Sequence, residues 1–231
     1  MFDRETFRRR HLPHWDVPHA EYFVTGCLDG SIPARGLLDI QRLERELHDR
    51  PRPEGMSETD WQLNCWKMMF ARADQWLDQA LAVRHLADPT MASIVKDSMY
   101  HFAGERYDLI AYVVMPSHFH WLFRPIEAWV KSLGPDAAIR TPRERIMHGL
   151  KRFTASECNR RLRLSGPFWQ QESYDHWVRS PEELERIIHY IEWNPVKAKL
   201  ATSPVDYKFS SAHDRQIAGI PFGVSLVRPR S

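Results

Sequence analysis

The sequence predicts an α+β fold in which a few short strands alternate with longer amphipathic helices. Residues 21–28, 107–115 and 118–123 are rich in aromatic and β-branched side chains, a composition typical of strands. Other segments repeat apolar residues at helical spacing and begin with residues that cap helices. With 231 residues, 43% of them hydrophobic, the chain is long enough for one globular domain or for a domain with an insertion.

The first half of the chain predicts one strand followed by helices. The strand at 21–28 (EYFVTGCL) is closed by an Asp-Gly turn, and apolar residues then recur at helical spacing over 37–47. Ser57 begins a capping box for a second helix, and Asp88, followed by a proline, begins a third. We therefore expect the stretch 37–102 to be mostly helical.

The second half predicts two neighbouring strands, at 107–115 and 118–123, separated by Pro-Ser. A helix over 141–164 begins with a threonine cap, a proline and a glutamate. The aromatic segment 168–178 predicts a short strand with loop, and a last helix runs from 180 until a proline stops it at 195. We expect loops beyond that helix.

Composition excludes several functional classes. Lys and Arg number 32 against 30 Asp and Glu, so nucleic-acid binding cannot be argued from net charge. Cys27, Cys65 and Cys158 form no CxxC pair, which argues against a disulfide framework or structural zinc. The sequence contains no GxxxxGK[ST] loop, so we expect no nucleotide cofactor. The N-terminus lacks a signal-peptide pattern and no segment is apolar for long enough to span a bilayer, so we expect a cytoplasmic protein without a membrane partner.

His118 and His120 form the first candidate site. Alternate residues of a strand point to the same face, so a strand would aim both imidazoles at one ion, whereas a helix would separate them by about 200°. Such pairs are more often packing or surface residues. Two histidines without a nearby cysteine are too few ligands for closed zinc, and they fit an open Mg²⁺ or Mn²⁺ site better.

Tyr190 and Asn194 form the second candidate site. They lie one helical turn apart on the helix from 180, about 40° around its axis, so phenol and amide can project into the same site. The alternative is that Tyr190 flanks the core and Asn194 only ends the helix. A phenol is a poor nucleophile near neutral pH, but a metal ion on its target can supply the electrophilic assistance.

Taken in order, these motifs resemble those of the REP-associated tyrosine transposases, which belong with the HUH single-tyrosine transposases. Matching segments extend over nearly the whole chain: 8–15 (RRRHLPHW), 22–25 (YFVT), 113–120 (VVMPSHFH), 168–170 (FWQ), 174–176 (YDH) and 190–198 (YIEWNPVKA). Two positions depart from the pattern, Ser117 where asparagine is common and Lys199 where glycine is common.

The resemblance implies one domain over 1–231, a ferredoxin-like antiparallel sheet backed by helices, with a helical insertion at about 37–102 after the first strand. It implies that Tyr190 attacks single-stranded or hairpin DNA and forms a 5′-phosphotyrosine, while His118, His120 and Asn194 bind Mg²⁺ or Mn²⁺. The family name implies palindromic repeats as the target, although no motif of this chain reads a base sequence.

The resemblance also places the chain in the bacterial cytoplasm, with a nucleoid-associated substrate, as a monomer or homodimer. The predicted DNA contacts are Arg8, Arg9, Arg10, Lys151, Arg152, Arg160, Arg161, Trp169 and Lys197. Two alternatives stay open: a domesticated DNA-binding regulator that does not cleave, and a metal-dependent hydrolase that activates water and leaves Tyr190 a spectator.

Overall fold

The computed structural model describes residues 6–9, 13–17, 19–79, 82–134, 140–171 and 173–226, without the side chains of 6–9 and 13–16. The strands are β1 (Thr6–Arg9), β2 (Pro13–Asp16), β3 (Tyr22–Cys27), β4 (Tyr107–Val114), β5 (His118–Pro125) and β6 (Tyr174–Trp177). The helices are α1 (Ala34–Asp49), α2 (Glu58–Asp78), α3 (Pro89–His101), α4 (Glu127–Ser132), α5 (Pro142–Leu162), α6 (Pro181–Lys197) and α7 (Ser211–Ala218).

Four strands form an antiparallel sheet in the order β4-β5-β3-β6. Helices α1 to α3 connect β3 to β4, and α4 and α5 connect β5 to β6. This order, with helical connections in both places, is the ferredoxin-like arrangement, so the predicted fold class is confirmed. Three helices occupy the stretch predicted to be helical, and their status as an insertion stays a prediction.

The two faces of the sheet pack against different helices. Side chains such as Val24 and Trp121 face α3 and α5, whereas Phe23 and Leu122 face α6 and the aromatic side of α2. Successive strand residues point to opposite faces, so the even-numbered residues of β5 share the α6 face with Leu122. Both histidines of β5 therefore lie under α6.

Helices α2, α3 and α5 begin at the capping residues that the sequence predicted. The hydroxyl of Ser57 accepts from the Asp60 amide at 3.1 Å, and the carboxylate of Asp88 accepts from the Thr90 amide at 2.7 Å. At α5, Thr141 and the side chain of Glu144 bond reciprocally. Each bond satisfies an amide that the first helical turn leaves without a backbone partner, which is why these short motifs fix the helix starts.

Three expectations about the chain ends and loops were wrong or incomplete. A two-stranded pairing of β1 with β2 precedes the strand that was expected to be the first. Helix α6 continues past Pro195 to Lys197, because the proline removes a single amide in the last turn while the Ala198 amide still reaches the Asn194 carbonyl at 2.9 Å. The predicted loop after α6 contains α7, which an ion pair between Arg215 and buried Glu192 holds in place.

Among the described residues, no helix is both long enough and apolar enough to cross a membrane.

Candidate metal and tyrosine site

Strand β5 presents both histidines in a fixed orientation. His118 is 2% exposed and His120 is fully buried. The Nδ1 atom of His120 lies 2.7 Å from the hydroxyl of Thr25 on β3, and that of His118 lies 3.0 Å from the hydroxyl of Ser117. When Nδ1 carries the proton and donates to these hydroxyls, each Nε2 keeps a lone pair for the site. Partners of this kind orient the histidine ligands of metal ions.

Burial keeps both imidazoles neutral. It lowers the pKa of His118 to about 4, and burial together with neighbouring His118 lowers the pKa of His120 well below its ordinary value. Removal from water disfavours the charged form of an imidazole, which is the physical cause of both shifts. The neutral imidazole is the form that binds a metal ion, so near pH 7 neither histidine must first lose a proton.

Tyr190 of α6 lies against this histidine pair. Its phenol oxygen is 3.3 Å from Nε2 of His120 and donates to Oδ1 of Asp74 at 2.7 Å. The rings of Phe23 and Phe70 meet the phenol edge-on, with centroids 5.9 and 5.8 Å away. The tertiary structure thus brings together the tyrosine and the histidines that the sequence singled out separately.

Asp74 is the site residue that the sequence analysis missed. It lies on α2, is 6% exposed, and one oxygen of its carboxylate accepts from Lys197 at 2.9 Å. Ligand atoms of Asp74, His118 and His120 lie within 4.8 Å of one another. One pattern could have revealed it: Trp66, Phe70 and Asp74 follow one another at four-residue spacing, which puts a carboxylate on an aromatic helix stripe.

The pKa values of Asp74 and Tyr190 move in opposite directions. Burial opposes the ionisation of Asp74, but the neighbouring His120, Tyr190 and Lys197 outweigh it and the pKa is lowered overall. Burial, followed by the charge of Asp74, raises the pKa of Tyr190. The phenol is therefore protonated and donates to a carboxylate, and it needs assistance before it can act as a nucleophile.

The donor atoms of this site fit a divalent cation. Nε2 of His118 and both amide atoms of Asn194, which is 1% exposed, are buried and make no hydrogen bond within the part of the chain that is described. Buried polar atoms normally have partners, and a bound ion would supply one here. Asp74, His118 and His120 offer a carboxylate oxygen and two imidazole nitrogens. A role for Asn194 as a further ligand stays a prediction.

The predicted DNA contacts lie in different places. Lys151, Arg152 and Trp169 line one cleft beside α5. The indole of Trp169 is 6% exposed and donates to the Thr154 hydroxyl at 2.9 Å, so the ring is held in one orientation in the wall of this cleft. Lys197 pairs with both Asp74 and Asp78 at 2.9 Å.

The other predicted contacts are near the chain start and at the end of α5. Arg160 and Arg161 pair with Glu157 on the same helix, at 2.8 and 3.9 Å. The backbones of Arg8 and Arg9 belong to β1, but their side chains, and the whole of Arg10, lie outside the described residues.

Comparisons with known proteins revealed a similar fold but no sequence family. No protein-family model matches the chain, and no curated protein matches it. Among solved structures, the fold is similar to that of a REP-associated tyrosine transposase bound to a REP hairpin, with 16% sequence identity and a TM-score of 0.48. The match covers 97% of this chain and 93% of that chain.

Proposed function

We propose that this chain is a metal-dependent endonuclease and transposase that cleaves single-stranded or hairpin DNA through a 5′-phosphotyrosine on Tyr190. One observation carries the proposal: the Tyr190 oxygen lies 3.3 Å from Nε2 of His120, although 70 residues separate the two in the chain. The motifs that resemble REP-associated tyrosine transposases contain these same two residues. A nucleophile, two imidazole ligands and a carboxylate at one buried point support phosphoryl transfer.

The reaction is a transesterification. The Tyr190 oxygen attacks the phosphorus, a phosphotyrosine bond forms, and the bond to the 3′ oxygen of the preceding nucleotide breaks. Asp74, which accepts from the phenol at 2.7 Å, is positioned to take its proton, and that proton can return to the departing 3′ oxygen. One phosphoester bond replaces another, so no ATP is required.

Asp74, His118 and His120 would hold the metal ion, with Asn194 as a proposed further ligand. When bound, a divalent cation such as Mg²⁺ or Mn²⁺ neutralises charge on the phosphate and polarises it. The hydroxyls of Thr25 and Ser117 keep the two imidazoles in place for that task.

The test is a search for a covalent adduct. The protein is incubated with labelled hairpin and linear single-stranded oligonucleotides in Mg²⁺, Mn²⁺ or chelator, and denaturing gels are examined for labelled protein. We expect a metal-dependent adduct that Tyr190→Phe abolishes. The matched control is Tyr207→Phe, which removes a hydroxyl that donates to the Val114 carbonyl and should retain the adduct.

The other outcomes would change either the nucleophile or the function. An adduct that persists in Tyr190→Phe refutes the assignment of the nucleophile. Metal-dependent cleavage without an adduct would indicate a hydrolase that activates water. Hairpin binding without cleavage in any metal would indicate a DNA-binding regulator. Calorimetric titration with Mn²⁺ tests the ligands separately, because His118→Ala, His120→Ala and Asp74→Ala should each weaken metal binding whatever the reaction.

A further inference from the structure

A cleft of about 420 Å³ lies beside α5, on the opposite side of the sheet from the tyrosine. It is bordered by α5 and by the segment 166–171, which leads toward β6. Its volume is within the range of about 300–1,000 Å³ that is typical of sites for small ligands. The residues on which the inference depends are Arg140, Met147, His148, Lys151, Arg152 and Trp169.

The rim of the cleft is positively charged. Arg140, His148 and Arg152 are exposed there. Burial, and then the charges of Arg140 and Arg152, lower the pKa of His148, which is consistent with two guanidinium groups close to that imidazole. Among the described lining residues Glu144 is the only carboxylate, and it is engaged as the helix cap that accepts from the Thr141 amide at 2.9 Å. An anion entering the cleft would therefore meet cations first.

The inner wall of the cleft is apolar and rigid. Phe168 and Trp169 are 4% and 6% exposed, and Met147 is 5% exposed. The Trp169 ring meets the Phe119 ring edge-on, with centroids 5.1 Å apart, while its Nε1 donates to Thr154. A planar apolar group can rest on such a wall without ordering it first, which lowers the entropic cost of binding.

Hydrogen bonds connect the cleft to the end of the strand that carries the histidines. The Lys151 ammonium donates to the Gln170 carbonyl at 2.9 Å, and the Gln170 amide donates to the Cys27 carbonyl at 2.8 Å. Cys27 is paired with His118 across β3 and β5. This chain of bonds leads from the cleft, on one face of the sheet, to the end of β5 whose His118 side chain lies on the other face.

We propose that this cleft binds one unpaired nucleotide of the substrate strand. The phosphate faces Arg140 and Arg152, and the base lies against the wall formed by Met147 and Trp169. Cationic rims with aromatic walls are the usual means of binding single-stranded nucleic acid. The concave shape favours an unpaired nucleotide over a duplex, whose bases are already stacked. The inference rests on the proposed function for the identity of the strand, but binding itself requires no cleavage.

Binding of a labelled ten-nucleotide single strand to the full-length protein, followed by fluorescence anisotropy, tests the cleft. Arg140→Gln with Arg152→Gln should weaken binding about tenfold and lower the slope of log K against log salt by about 0.7 for each phosphate that the variant no longer neutralises. The matched control, Arg42→Gln with Arg45→Gln, removes the same charge from the exposed face of α1 and should change the affinity less than about twofold. Thermal denaturation verifies that each variant is folded.

A second variant separates the shape of the cleft from its charge. Ala155 lines the cleft, and Ala155→Leu should obstruct it, weakening single-strand binding while leaving the salt slope nearly unchanged. The proposal would be overturned if the cleft variant and the α1 variant lost equal affinity for the single strand. It would also be overturned if the cleft variant lost as much affinity for a duplex of the same sequence as for the single strand. If an adduct forms at Tyr190 but the cleft variants bind DNA normally, only the role of the cleft is refuted. If the cleft variants bind DNA weakly but no adduct forms, only the proposed reaction is refuted.

Discussion

Acidification of the metal-free protein from pH 7 to pH 5 should lower its free energy of unfolding by about 2 kcal/mol through His118 alone. The imidazole has a pKa of about 4 in the folded protein, against an ordinary value of 6.5. A lowered histidine pKa means that folding favours the neutral form, so the stability is fully present above pH 6.5 and is lost as the pH falls toward 4. Integration of proton binding with these two values between pH 7 and pH 5 gives the figure of about 2 kcal/mol.

Urea denaturation in chelator at the two pH values measures this loss. His118→Asn removes the titrating group, so its loss of stability over the same interval should be about 2 kcal/mol smaller than that of the wild type. The control is His189→Asn, at an exposed position on α6, which should lose as much as the wild type. If His118→Asn and the wild type lose equal stability, burial does not hold His118 neutral. Saturating Mn²⁺ at pH 7 should raise the denaturation midpoint of the wild type more than that of His118→Asn, because it binds the folded state.

Three further predictions concern two glycines and one buried ion pair. Gly26→Ala would place a Cβ atom 2.5 Å from Cε1 of the fully buried Phe119 ring and should lower the free energy of unfolding by about 1–3 kcal/mol. Gly149→Ala, on α5, should instead raise the free energy of unfolding by about 0.5–1 kcal/mol, because within the described residues only its own helix backbone lies within 4 Å of the new Cβ. Denaturation curves that rank the two variants the other way would contradict the packing. Asp175→Ala should cost about 3–5 kcal/mol because it leaves the Arg143 guanidinium buried without the carboxylate now 2.6 Å away, and a loss below about 1 kcal/mol in the same assay would show that the pair is unimportant.

Much of the fold could be predicted because its signals are local. Capping residues such as Ser57 and Thr141 satisfy amides within their own helix, so a stretch of four residues is enough to locate each helix start. The strands at Tyr107–Val114 and His118–Pro125 have a composition and a Pro-Ser interruption that are visible in a short window. Helix α7 escaped prediction although Ser210 caps it locally, because it has only eight residues, and an ion pair with Glu192 of α6 fixes its position.

The sequence by itself determined which residues are chemically able to act. Strand spacing makes His118 and His120 point to one face, and helical phase puts Tyr190 and Asn194 on one side of α6. Only the tertiary structure decided that these pairs meet, since it is the antiparallel order of the sheet that lays α6 over β5. It also supplied Asp74, whose role depends on His118, His120 and Tyr190, which lie on β5 and α6, far along the chain from α2. Local chemistry selects candidate side chains, but long-range packing sets the distances at which they act.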